Sequence, residues 1–172
     1  MAVFPIRQFG DPVLRTPAAE VNHVDDSIRK LISDMRDSMR ATGIGVGLAA
    51  PQIGVSRRVI VWDYQESKGA LINPRITARR GEVEDLESCL SLPGLAFPVV
   101  RAEWVTAEGL DEEGRPIEVE EEDMVARILQ HETDHIDGVL FIDRLTTEHQ
   151  KEAKSLLIEQ SMGGAARPAP AM

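Results

Sequence analysis

The sequence predicts an α+β fold, in which antiparallel or mixed β-sheets pack around a central helix, with one helix on the N-terminal side and one on the C-terminal side. Three observations predict it. Apolar residues recur at helical spacing in two separated stretches, 28–39 and 124–136. Between them lie short β-branched or alternating runs punctuated by Gly, Pro and acidic turns. The second helical stretch carries His131-Glu132-Thr133-Asp134-His135 inside its apolar stripe, which places it at the centre.

Residues 1–24, with Pro5, Pro12 and Pro17, read as an extended arm laid over the surface. From Asp25, a helical stripe of Ile28, Leu31, Ile32, Met35 and Met39 runs to a stop at Thr42-Gly43. His23, just before it, reads as a surface or capping residue. Gly43, Gly45 and Gly47 then alternate, removing side chains from one face of an extended segment and opening its backbone to a ligand. This run has no phosphate-loop lysine and follows a helix, not a strand, which disfavours nucleotide binding. Gln52 offers an amide donor suited to an oxyanion.

Residues 57–63 read as a buried strand through Val59, Ile60, Val61 and Trp62; 69–73 read as another, ending at Pro74. Residues 76–86 read as an exposed strand pair about Gly81, and 87–94 as a small-residue turn holding Cys89. Residues 99–107 and 117–121 read as a hairpin across the turn at 111–116. The acidic run 118–123 leads into the central helix and complements its N-terminal dipole. After a stop at Gly138, a short apolar connection reaches a last helix over 147–161, docked by Leu156, Leu157 and Met162.

At about 100° per residue, Met124, Ile128, His131 and His135 line one stripe of the central helix, and Val125, Leu129, Glu132 and Ile136 the adjacent one. Arg127, Gln130, Thr133, Asp134 and Asp137 fall on the other side. Histidines four residues apart can present ring nitrogens to one cation while Glu132 flanks a bound water. A catalytic site of this kind takes a third protein ligand. Downstream candidates are Asp137, Asp143, Glu148 and His149; the upstream candidate is Cys89. Arg101 is expected to pair with Asp134 behind the helix.

Composition narrows the classes. A net charge of −10 argues against a non-specific nucleic-acid binder, and no DNA binding is expected. A single cysteine excludes an internal disulfide. No basic-then-apolar leader and no membrane-length apolar run is visible, so a cytoplasmic monomer without membrane attachment is expected. The domain is expected over 1–163, with the low-complexity segment 164–172 as a disordered tail.

Three stretches in order, Gly45-Val46-Gly47-Leu48-Ala49-Ala50-Pro51-Gln52, Glu87-Ser88-Cys89-Leu90-Ser91 and Gln130-His131-Glu132-Thr133-Asp134-His135, strongly resemble the signatures of the peptide deformylases. The similarity spans roughly 3–160. It implies a catalytic domain that removes the N-formyl group from nascent formyl-methionyl peptides. It also implies Cys89, His131 and His135 as metal ligands, Glu132 as general acid/base, and Gln52 with the Leu90 N–H as the oxyanion site. Ferrous iron is the implied metal, with zinc, nickel or cobalt as substitutes. Met124, Ile128 and Val46 are candidates for the methionine pocket, and Gly45 and Gly47 for pairing to the peptide backbone. Ser88 stands where the family usually has glycine, which touches substrate fit, and Ala96 where many relatives carry a basic residue. The alternatives are a deformylase-like protein of reduced activity that binds formyl-peptides or hydroxamate inhibitors, and a general HExxH peptidase; retention of Glu132 disfavours the first, and Cys89 as third ligand the second. Ribosome association through the last helix is open by analogy, but residues 147–172 hold three acids and three bases, so strong attachment to RNA is not indicated.

Overall fold

Asp25 opens the first regular helix by accepting the N–H groups of Ser27 and Ile28, and α1 (Asp26–Ala41) follows with Ile28, Ile32, Met35 and Met39 buried. This structure is a computed structural model and describes residues 2–162; the tail expected at 164–172 lies outside them. The strands are β1 (Gly47–Ala49), β2 (Val59–Tyr64), β3 (Ser67–Arg80), β4 (Val83–Ser88), β5 (Ala96–Arg101), β6 (Trp104–Leu110) and β7 (Pro116–Glu122). The helices α2 (Asp123–Ile136) and α3 (Thr147–Ser161) complete the order. Pairing is antiparallel throughout both sheets, one ordered β1-β2-β3-β6-β7 and the other a β4-β5 hairpin.

Strand alternation sets the layers. Val59 and Val61 share a core with Leu48, Ala70, Ile72 and the apolar stripe of α1. Ile60 and Trp62 share the other with Ala49, Leu71, Val105, Ala107 and the α2 residues Ile128 and Leu129. The sheet therefore lies between two helices. A third cluster joins Phe97 and Val99 of β5 to Leu14, Leu92, Phe141 and Ala153 of α3. No helix among the described residues is long and apolar enough to cross a membrane.

Four expectations are corrected. The strand expected to end at Pro74 runs on to Arg80, and residues 76–80 pair with β6, not with β4. Asn73 adopts φ 53° where the register shifts, and its side chain bonds both the N–H and the C=O of Val21. The bulge there absorbs the proline that cannot donate. The strand expected over 99–107 is two: β5 ends at Arg101, because the Gln130 amide takes both the N–H and the C=O of Ala102 and pulls the chain out of the ladder.

Of the polar residues on the other side of α2, Arg127, Gln130, Thr133 and Asp134 are buried and Asp137 is exposed. Arg127 meets Glu87 and Asp134 meets Arg101 and Arg144, while Gln130 bonds the Ala102 backbone. Finally, Met162 is 83% exposed and does not dock α3; Ala153, Leu156 and Leu157 do.

Candidate metal and hydrolytic site

Cys89 lies just past the end of β4, His131 and His135 one turn apart on α2, and Gln52 in the 3-10 segment that follows β1. The three ligand-type atoms offered by Cys89, His131 and His135 all lie within 4.8 Å of one another, and all three residues are buried. Sγ of Cys89 is 3.2 Å from Nε2 of His135. Edges of about 3.5 Å between sulfur and nitrogen are what tetrahedral zinc-type coordination requires. One thiolate and two imidazoles so placed fit a divalent transition metal.

A pocket of about 200 Å³ opens in front of this cluster. Gly45, Val46, Gly47, Gln52, Ser88, Cys89, Leu90, Met124, Ile128, His131 and Glu132 line it. His135 is the one predicted site residue outside the lining; it is buried beside Cys89. The downstream candidates for a third ligand go elsewhere: Asp143 and Asp137 face Arg15 and Arg58, and His149 lies against Phe97.

Glu132 is 4% exposed, and its Oε2 has no hydrogen-bond partner among the described residues. Burial pushes its carboxyl up to about 7, against the pull of charged His131. Room for this side chain comes from Gly47, where a Cβ would stand 2.6 Å from Glu132 Oε1 and 2.7 Å from Ile128 Cγ2. The alternating glycine is thus needed against the chain's own helix, a use its pattern alone does not reveal.

Gln52 is held by the N–H of Ala49, which donates to its Oε1 at 2.8 Å. Its Nε2 is left facing Cys89 Sγ at 3.7 Å and Ser91 Oγ at 3.3 Å. The Leu90 N–H has no acceptor among the described residues. Two donors thus border the cluster.

Behind Cys89 and the two histidines lies a network of which the sequence pointed only to the Arg101–Asp134 pair. Glu87 Oε1 meets Nδ1 of His131 at 2.6 Å and accepts from Arg101 Nη2 at 2.6 Å, while Oε2 accepts from Arg101 Nε and Arg127 Nη1, both at 3.0 Å. Asp134 accepts from Arg101 Nη1 at 2.6 Å, the pairing expected from sequence, and also from Arg144. Burial opposes ionisation of Glu87, but His131 and Arg101 outweigh it and hold the carboxyl well below its usual range. Burial likewise opposes a charge on His131, yet Glu87 and Cys89 raise its pKa well above the ordinary value. His135 moves the other way through burial and the nearby His131 charge.

A protein-family model described as polypeptide deformylase matches residues 3–151. The chain is 51% identical over 164 residues to a peptide deformylase of Acidothermus cellulolyticus, covering 95% of this chain and 91% of that protein. It superposes on the crystal structure of a peptide deformylase from Legionella pneumophila with a TM-score of 0.86 at 42% identity, covering 94% of this chain and 96% of that one. The peptide deformylase of Ehrlichia chaffeensis in complex with actinonin matches with a TM-score of 0.86 at 33% identity, covering 94% and 98%.

Proposed function

Because the chain belongs to the polypeptide deformylase family, we propose that it hydrolyses the N-formyl group of formyl-methionyl peptides and releases formate. The observation that carries this reading is the buried Glu132 carboxylate, with one unpartnered oxygen, in the same pocket as Cys89 and His131. Cys89, His131 and His135 would hold the metal, and ferrous iron is proposed, with zinc, nickel or cobalt able to replace it. When bound, the cation supplies Lewis acidity that acidifies water and polarises the formyl carbonyl.

The chain's own residues do the rest. Glu132, with a pKa raised to about 7, is suited to take a proton from the attacking water and return it to the leaving amine near neutral pH. Gln52 Nε2 and the Leu90 N–H donate to the oxygen on which negative charge develops. The Ala49 N–H fixes the Gln52 amide, so that its NH2 group is turned to the site before substrate arrives.

Val46, Met124 and Ile128 give the pocket an apolar wall suited to a methionine side chain. The Gly45 N–H already donates to Thr42 Oγ1 at 2.9 Å and Gly47 is paired to β2, so a bound peptide's main chain meets what these residues leave free. Ser88, at the end of β4 opposite Ala96, adds a hydroxymethyl group to the same wall.

The test is formate release from a formyl-Met peptide by anaerobically prepared protein, with metal content measured on the same sample and Glu132→Ala as control. Release equal to that of the control overturns the reading and leaves a formyl-peptide-binding protein in its place. Ser88→Gly in the same assay measures what the added side chain does to KM. Binding of actinonin, present in the solved relative, checks the pocket independently.

A further inference from the structure

Arg127 stands on α2 four residues before His131, one turn along the same flank of the helix, borders the same pocket, and is 4% exposed. Its Nη1 donates to Glu87 Oε2 and to the Val99 carbonyl, and its Nη2 to the Val83 carbonyl, each at 3.0 Å. One guanidinium therefore grips both strands of the β4-β5 hairpin and the carboxylate that holds His131.

The origin of the two arginines differs in a way that matters. Arg101 belongs to β5, so its bonds to Glu87 stay within the hairpin, and it reaches α2 only through Asp134. Arg127 belongs to the helix that carries both histidines, while the hairpin leads directly into Cys89. Its bonds run between the two elements that supply the ligands.

We propose that Arg127 is a positioning residue for the metal centre: it locks Glu87 from the helix side and thereby fixes the His131 ring relative to the strand that presents Cys89. The planar fork suits this task, because one terminal nitrogen is shared by a carboxylate and a carbonyl while the other reaches a second carbonyl. An ammonium gathers its three donors on one nitrogen and lacks this fork.

The proposal rests on Cys89, His131 and His135 binding a metal, so the experiment begins with cobalt(II) added to the parent chain. Absence of a thiolate–cobalt absorption band there overturns the metal reading itself. With the parent loaded, release of cobalt to a chelator is followed in Arg127→Met, Glu87→Gln and the double variant. Arg127→Met is expected to release cobalt roughly 10- to 100-fold faster, the range typical of lost outer-shell support, and to lower kcat more than it raises KM. In the Glu87→Gln background the same substitution is expected to add less than about twofold, because the path through the carboxylate is already gone. Parent-like release by Arg127→Met overturns the proposal. So does equal acceleration with and without Glu87, which marks a merely structural role. Should Arg127→Met not fold, Arg127→Lys decides: release at least about threefold faster than the parent supports the proposal, and parent-like release overturns it.

Discussion

Glu87 Oε1 lies 2.6 Å from Nδ1 of His131, which leaves the other ring nitrogen for Cys89's side of the cluster. The carboxylate fixes both the tautomer and the orientation of the ring. Glu87→Gln keeps the shape and loses the charge, and is expected to weaken metal affinity roughly 10- to 100-fold in chelator competition. Unchanged affinity would show that His131 is held by packing alone. The same carboxyl, held below its ordinary value of 4.5, contributes stability that is present above that pH and is lost as pH falls through the folded value. The metal-free parent should therefore lose stability in acid more steeply than Glu87→Gln does, as read from urea unfolding at a series of pH values.

Glu132 has the opposite sign. Its carboxyl is raised from 4.5 to about 7 by burial, so the folded state bears a penalty whenever the group is ionised. That penalty is absent below 4.5, grows as pH approaches about 7 and is complete above it. Glu132→Gln removes it. The metal-free variant should be more stable than the parent by about 3 kcal/mol at alkaline pH, with the difference vanishing in acid, while formate release is abolished. Equal stability across the range would mean that the carboxylate is solvated in the resting protein.

Local spacing made much of this site legible. His131, Glu132 and His135 share a helix, so their convergence follows from helical geometry, and Gly138, at φ 75°, ends that helix where the pattern stops. The stripe of α1 was equally local. What stayed hidden depends on residues distant in the chain. Glu87 is visible as an acid two residues before Cys89, but its partners lie 14, 40 and 44 residues away, and no periodicity links them. Arg127 and Gln130 fall outside the apolar stripes of the helix, and their burial shows only once the hairpin and Ala102 are in place. The division of 99–107 into β5 and β6 escaped for the same reason, since the amide that breaks the strand comes from α2.

Arg101 is 5% exposed and touches two carboxylates, Glu87 and Asp134. Removing it leaves Glu87 with Arg127 and His131, and Asp134 with Arg144, so neither charge is wholly abandoned. Arg101→Leu is accordingly expected near the lower end of the cost for breaking a buried pair, about 3 kcal/mol in urea unfolding. Asp134→Asn in the same background should recover part of that loss, because it removes a buried charge that has lost one of its two arginines. A loss below about 0.5 kcal/mol would place Arg101 among ion pairs that contribute little.

Gly47 tests whether the position of Glu132, and not merely its presence, sets the rate. A methyl group at residue 47 would stand 2.6 Å from Glu132 Oε1, and the nearby Ile128 Cγ2, at 2.7 Å, blocks an easy escape. The carboxylate must move, and a displacement of about 1 Å at a reacting group can cost roughly 100-fold in rate. Gly47→Ala should therefore lower kcat by about that factor while leaving cobalt binding near the parent value, because Cys89, His131 and His135 are not in the path of the new methyl. Loss of cobalt binding along with activity would instead mean that α2 as a whole has shifted. Retention of full activity would mean that β1 yields before Glu132 does, and that the glycine serves only the approach of the peptide.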